Sequence, residues 1–170
     1  GDFYQGGIVF YLDGNGGGLI SAPSDQATAA EWGCYQTDIS GADGVSIGTG
    51  YQNTIDIEAG CTTAGTAADI CANLTLGGYS DWFLPSKDEL NQMYLNKAAI
   101  GGFAVSEYYW SSTERDSLSA WHQDSHTGYQ DYNVKFTTDN VRAIRIFSAA
   151  DTTNTLTVTS SGWNYVTVTD

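Results

Sequence analysis

After Phe103 the sequence alternates. "YYWSST", "SAWHQD", "GYQDYNVKF" and "VRAIRIF" place apolar and polar residues in turn, and stretches rich in Asp, Ser, Gly and Asn separate them. Alternation at period two marks a strand with one face buried and one face wet. Antiparallel neighbours need only short turns between them. This half of the chain therefore predicts an antiparallel sheet with substantial loops.

The first half is less regular. "GGIVFYLD" is an apolar run ended by "GNGGG" and followed by "LISAP", which predicts a hairpin with a glycine-rich turn. Residues 24–50 carry little periodicity and predict mostly loop. "NTIDIEAG" (Asn53–Gly60) and "TAADICANL" (Thr66–Leu74) predict two short helices separated by a Gly/Thr turn. A last piece, "NTLTVTSSGWNYVTVTD", predicts one more hairpin at 155–170. The fold class expected is α+β, with antiparallel sheets, two or three short helices and long Gly/Asp-rich loops. The 170 residues suit one domain, 1–170.

The stretch "GGYSDWFLPSKDELNQMY", Gly77 to Tyr94, gathers Ser, Lys, Asp and Glu in consecutive positions beside Trp, Pro and Tyr. Those side chains suit an active site, and they also suit a helix start. Ser86 followed by Glu89 forms a capping box, in which each side chain accepts from the other residue's N–H. Pro85 blocks a helix from running in upstream. Asp88 and Glu89 suit the positive helix end. Leu90, Met93, Tyr94 and Lys97 follow at helical spacing. Helix initiation accounts for the cluster without catalysis.

Charge narrows the partners. Six Lys plus Arg face twenty Asp plus Glu, a net charge of −14. Such a surface repels nucleic acid, anionic lipid and sulfated glycans. The carboxylates serve as a solubility coat or as oxygen ligands for Ca²⁺. No apolar run approaches the roughly 18 residues of a membrane span. The opening Gly1-Asp2-Phe3-Tyr4 lacks the basic and apolar blocks of a signal peptide, so the chain is expected to be part of a longer multidomain protein. Of the three cysteines, Cys34 and Cys61 lie in loop-like sequence and Cys71 in an apolar helix. The expectation is a Cys34–Cys61 disulfide with Cys71 free and buried, which fits an extracellular protein.

Three blocks, "GDFYQGGIVFYLDGNGGGLISAPSDQ", "GGYSDWFLPSKDELNQMY" and "YYWSS…AW…VRAIR", resemble in order the family named after the C-terminal domain of a bacterial collagen-like adhesin, formerly a domain of unknown function. The resemblance covers a family-like core of 1–147 and leaves 155–170 outside. It implies a C-type-lectin-like fold and a binding module of bacterial surface adhesins. It also implies that Trp82, Pro85, Trp110, Trp121 and Arg142 are scaffold. The wider fold includes formylglycine-generating enzymes, which use cysteine late in the chain; here no cysteine follows Cys71. The sulfated-glycan binding associated with the collagen-like adhesin conflicts with a charge of −14.

The richest region for binding is Ser106 to Asn140. It places Asp116, Asp124, Asp131, Asp139 and Asn140 near expected strand ends, as candidate Ca²⁺ ligands. Trp121, Tyr129 and Tyr132 would form an apolar wall, with Asp124 and Asp131 contacting the ligand. "DGNGGG" (Asp13–Gly18) is a hairpin turn rather than an EF-hand loop, since the closing Glu of such a loop falls here at Ser24. His122 and His126 lie on a strand and its turn, where H-x-x-x-H spacing carries no zinc meaning. No G-x-S-x-G or P-loop is present. Arg142 and Arg145, three apart in an expected strand, fall on opposite faces, one of them pairing with carboxylates inside, and a structural salt bridge is the expected role of both. The expected function is a Ca²⁺-dependent, non-enzymatic, extracellular adhesion module at the bacterial cell surface. Its ligand is a cell-surface peptide or protein C terminus. The alternatives are a lectin for a neutral glycan, a hydrolase using paired carboxylates, and a structural spacer.

Overall fold

The computed structural model describes residues 1–149. Residues 155–170, where the last hairpin was expected, lie outside that range. The described chain is α+β. Its elements run β1 (Phe3–Tyr4), β2 (Gly7–Leu12), β3 (Gly18–Ser21), β4 (Ala27–Glu31), α1 (Gly50–Gly60), α2 (Ala67–Ala72), α3 (Lys87–Leu95), α4 (Lys97–Ile100), β5 (Tyr108–Asp116), β6 (Ser119–Asp124), β7 (Gln130–Val134), β8 (Thr138–Val141) and β9 (Ile144–Phe147). One sheet has the order β1-β2-β3-β9 and the other β4-β8-β5-β6-β7. The second sheet is mixed rather than wholly antiparallel, because β5 and β8 run parallel where Tyr109 meets Asn140.

The periodic segments fold as their patterns dictate, and two strands escape that logic. β4 lies inside the stretch read as loop, and β8 inside polar "TTDNV". They pair with each other, Ala27 with Val141 and Glu31 with Thr138. Neither has β-branched or aromatic alternation of its own; β4 is a strand because β8 lies beside it, and β8 because it lies between β4 and β5, a tertiary effect that overrides propensity.

The core holds three tryptophans, Trp32, Trp82 and Trp110, all buried. Each indole N–H finds a carbonyl: Trp32 donates to Ser111 O at 2.9 Å, Trp110 to Ala30 O at 2.9 Å and Trp82 to Leu76 O at 3.3 Å. Burying these large rings with the polar edge satisfied supplies apolar stabilisation without an orphaned donor.

Buried charge ties the long connections to this core. Arg142 donates to Asp25 Oδ1 at 2.6 Å, Gly102 O at 2.6 Å and Ala22 O at 3.1 Å. Arg145 grips Asp81 through two bonds of 2.8 and 2.9 Å. Both arginines therefore form the structural salt bridges expected of them, and both are buried, where alternation turns only one inward. The reason is local: β9 begins at Ile144, so Arg142 precedes the strand and the pleat does not govern it. Lys135 is fully buried, donates to Glu114 Oε1 and to Thr37 O at 2.8 Å, and lies over the Trp32 ring. Both Glu114 oxygens also accept from Ile39 N–H. Burial pushes the Glu114 carboxyl above the usual range, against the Lys135 and Ile39 donors that favour its charge.

The loop of 34–49 that Glu114 holds is also stapled by a disulfide between Cys34 and Cys61, while Cys71 is free and buried in α2. Burial, with the Glu58 charge nearby, pushes the Cys71 thiol far above its ordinary range. Thiol titration of unreduced protein should find Cys71 unreactive in the native state and one reactive thiol after denaturation. Lys135→Met should cost about 3–5 kcal/mol, because it strands a buried carboxylate. Urea unfolding checks this; a loss under about 1 kcal/mol would mean that Glu114 is neutral in the native protein.

Candidate functional site

The site is built outward from the start of α3. Ser86 precedes the helix, its hydroxyl accepting from Glu89 N–H at 3.3 Å, and Glu89 Oε2 accepts from Ser86 N–H at 2.8 Å. Glu89 does more than close this box. Its second oxygen accepts from Gly48 N–H at 2.8 Å, and the Ser86 hydroxyl donates to Ser46 O at 3.0 Å. A Cβ at Gly50 would collide with Glu89 Oε2, so the first residue of α1 must be glycine for this approach. Burial pushes the Glu89 carboxyl above the usual range, and the Ser86 and Gly48 donors oppose that shift.

The next residue, Lys87, is fixed by this arrangement. Its N–H donates to the Thr113 hydroxyl at 2.9 Å, and its carbonyl accepts from Gln130 Nε2 at 2.8 Å, linking it to β5 and β7. The side chain leaves the cap half-buried, and its Nζ lies 3.4 Å from the centroid of Trp121. Trp121 on β6 is directly opposite Tyr132 on β7, their rings 5.9 Å apart and edge to face. Over Tyr132, at 3.4 Å, lies the guanidinium of Arg115 from the end of β5. Two aromatic rings, each covered by a cation, thus form one continuous face.

The electrostatics give this face its meaning. The chain has six cationic side chains. Lys135, Arg142 and Arg145 pair with Glu114, Asp25 and Asp81. Lys97 donates to Ser125 O and His126 O and lies over Tyr94. The other two, Lys87 and Arg115, are those on the aromatic pair. Arg115 has Asp116 at 3.7 Å, a solvent-exposed pair worth little. Amid a net charge of −14, the two least committed cations stand together on the half-buried Trp121 ring and the exposed Tyr132 ring.

The residues expected to form the site separate. Directly opposed residues share a face and chain neighbours alternate. Trp121 pairs with Tyr132 and His122 with Asp131, so the aromatic wall and Asp131 point to opposite sides of the sheet. Asp124, two residues beyond His122, falls on the Asp131 side. Tyr129 stands before β7, exposed at the turn. Nor do the five expected Ca²⁺ ligands converge. Asp116 closes the β5–β6 turn, accepting from the Leu118 and Ser119 N–H groups and the Ser119 hydroxyl, and that hydroxyl bond holds its carboxyl below the usual range. Asp124 accepts from the His126 and Thr127 N–H groups at the other end of β6, roughly 16 Å away by strand rise. Asp131 accepts from Tyr132 N–H, Asp139 lies 2.8 Å from His122 Nδ1, and Asn140 donates to Tyr108 O. Among the described residues no group of three or more His, Cys, Asp or Glu is gathered as a metal requires.

Lys87 and Arg115 were missed by reasoning from carboxylates. A signal existed for Lys87. A cation at the first position of a helix opposes the helix dipole, so helix initiation explains Ser86 and Glu89 and leaves Lys87 unexplained. Its compensation is the Trp121 ring, on another element.

The family model described as the Lcl C-terminal domain matches residues 22–145. No curated protein matches the sequence. Among solved structures, the crystal structure of a fimbrial protein from Bacteroides ovatus ATCC 8483 is similar, with a TM-score of 0.53 and 16% identity over 76% of this chain. That likeness is one of fold, and the matched part covers 35% of the fimbrial chain.

Ser86→Ala removes a cap and the tie to Ser46, and should cost at least about 1 kcal/mol. Lys87→Ala removes one cation–π contact and should cost less than about 1 kcal/mol. Thermal unfolding of the two variants checks the order; a larger loss for Lys87→Ala would make Lys87 a structural residue.

Proposed function

The chain belongs to the Lcl C-terminal domain family, and from that premise we propose that it is an extracellular adhesion module of a bacterial surface protein that binds a partner's chain end by its free carboxylate. We take its fold to be C-type-lectin-like and its role to be binding without catalysis. The resemblance to the collagen-like adhesin supports the placement at the cell surface, as does the Cys34–Cys61 disulfide, a bond kept in oxidising surroundings.

One observation carries the ligand class: Lys87 and Arg115, which no buried carboxylate among the described residues neutralises, both lie over the adjoining rings of Trp121 and Tyr132. Charge-assisted hydrogen bonds from the two cations hold a carboxylate, and the rings bury the flanking side chain. A chain end with a second carboxylate, such as Thr-Asp, meets both cations. A polyanion would meet the rest of the −14 surface, whereas a single chain end meets only this face. The neutral-glycan reading is weaker because Lys87 occupies the Trp121 ring face on which a sugar would stack. Held this way, the carboxylate requires no Ca²⁺.

Titration calorimetry with peptides ending in Thr-Asp tests this. The free-acid peptide should bind equally in Ca²⁺ and in chelator. Amidating its C terminus, or the double change Lys87→Ala with Arg115→Ala, should weaken binding at least tenfold, about 1.4 kcal/mol. Equal binding of acid and amide would overturn the proposal. Binding lost in chelator would transfer recognition to an ion. Binding of a neutral oligosaccharide but of neither peptide would establish the lectin reading.

A further inference from the structure

A second opening lies away from the aromatic pair. On α1, Tyr51, Thr54, Ile55 and Glu58 recur at helical spacing and share one side. Across from them stand Trp82 and Phe83, with Ala72 at the end of α2, and the space between is an open pocket of about 250 Å³. Tyr51 meets Phe83 edge to face at 5.7 Å, which forms an aromatic rim. Tyr51 and Ile55 are exposed there, while Trp82 and Phe83 are buried behind.

The polar groups of this pocket are unequal. The Thr54 hydroxyl is committed, donating to Gly50 O and accepting from Leu84 N–H. Glu58 is not: its Oε1 is buried and has no hydrogen-bond partner among the described residues. An orphaned carboxylate oxygen requires a donor, and a charged donor most of all. The chain has none to send. Each of its six cations is placed elsewhere, on Glu114, Asp25, Asp81, the Ser125 and His126 carbonyls, Trp121 or Tyr132. The neighbouring ionisable groups on α2, Asp69 and Cys71, offer no positive charge. Burial, and then the Asp69 charge, push the Glu58 carboxyl above the usual range.

We infer that this pocket receives a lysine side chain of a partner protein, its ammonium pairing with the Glu58 carboxylate at the pocket wall and its alkyl stem lying along Tyr51, Ile55 and Phe83. The chemistry is complementary in each part. An ammonium supplies the missing positive charge. Aromatic faces attract a cation once it is desolvated. A long methylene stem fits an apolar rim that leads to a charged end. The volume is below the roughly 300–1,000 Å³ typical of sites for drug-sized molecules, which favours one side chain over an oligomeric ligand. With Oε1 turned inward, the Glu58 carboxylate offers the pocket at most one oxygen, which suits the point charge of lysine better than the forked guanidinium of arginine, which seeks two.

The probe is N-acetyl-lysine methylamide, compared with its ε-acetylated, uncharged analogue, in a titration of the domain followed by NMR of backbone amides. The amine should shift signals of α1 and of 82–83, and the acetylated form should bind at least tenfold more weakly. Glu58→Gln should abolish that preference. It should also melt no lower than the parent, since it removes a buried charge without a partner. The Lys87→Ala, Arg115→Ala variant should bind the amine unchanged, which separates this site from the carboxylate-binding face. Equal binding of the two probes, an unaltered preference in Glu58→Gln, or no binding of the amine would each overturn the inference. So would a fall in melting temperature for Glu58→Gln, which would make Glu58 a structural group.

Discussion

The structure depends on one buried carboxylate. Glu89 accepts from the Ser86 N–H at the start of α3 and from the Gly48 N–H just before α1. In a low-dielectric interior those bonds are strong, and each donor left alone would be costly. Helix start, loop end and the glycine that opens α1 are therefore specified together. Asn53 extends the arrangement, bonding both ways with Gly44 and donating to the Ser112 hydroxyl. Thr113 adds a bond to Gly44 O and accepts from Lys87 N–H. What begins as a local helix cap ends by fixing a long loop to the centre of β5.

That fixation brings structure and binding into one frame. Lys87 follows the cap immediately, so its backbone is among the best-anchored in the chain, while its side chain is free to lie on Trp121. Preorganised charge binds more tightly than charge on a mobile stem, because less conformational entropy is lost. The allocation of cations follows the same logic. Lys135, Arg142 and Arg145 hold loops against the sheets from within, where a partner of opposite charge is obligatory. Lys87 and Arg115 lie where an aromatic ring suffices as partner and a ligand can still reach them.

The α+β class, the β2–β3 hairpin, both short helices and the strands β5, β6, β7 and β9 were legible because each carries its own period or cap. The Ser86 capping box was legible to the atom, since its two bonds are local. β4 and β8 were not, because their strand character comes from the strands beside them. The aromatic half of the site was legible in Trp121 and Tyr132. Its cationic half was not: Lys87 and Arg115 reach the rings from α3 and β5, a convergence created by the tertiary fold. Strand alternation was available for Asp131, and it places that residue on the far side from Trp121 once the register of β6 and β7 is known.

The free thiol of Cys71 has a consequence of another kind. Held inside α2 it is inert, because burial keeps it protonated. When the domain opens, that protection ends, and a thiol of ordinary acidity meets the Cys34–Cys61 bond within the same short stretch of chain. Exchange then yields pairings other than the native Cys34–Cys61, which must be undone before the native fold returns. Heating at mildly alkaline pH thus becomes a one-way process, and the lifetime of the domain is set by how rarely it opens rather than by the equilibrium between folded and unfolded chains.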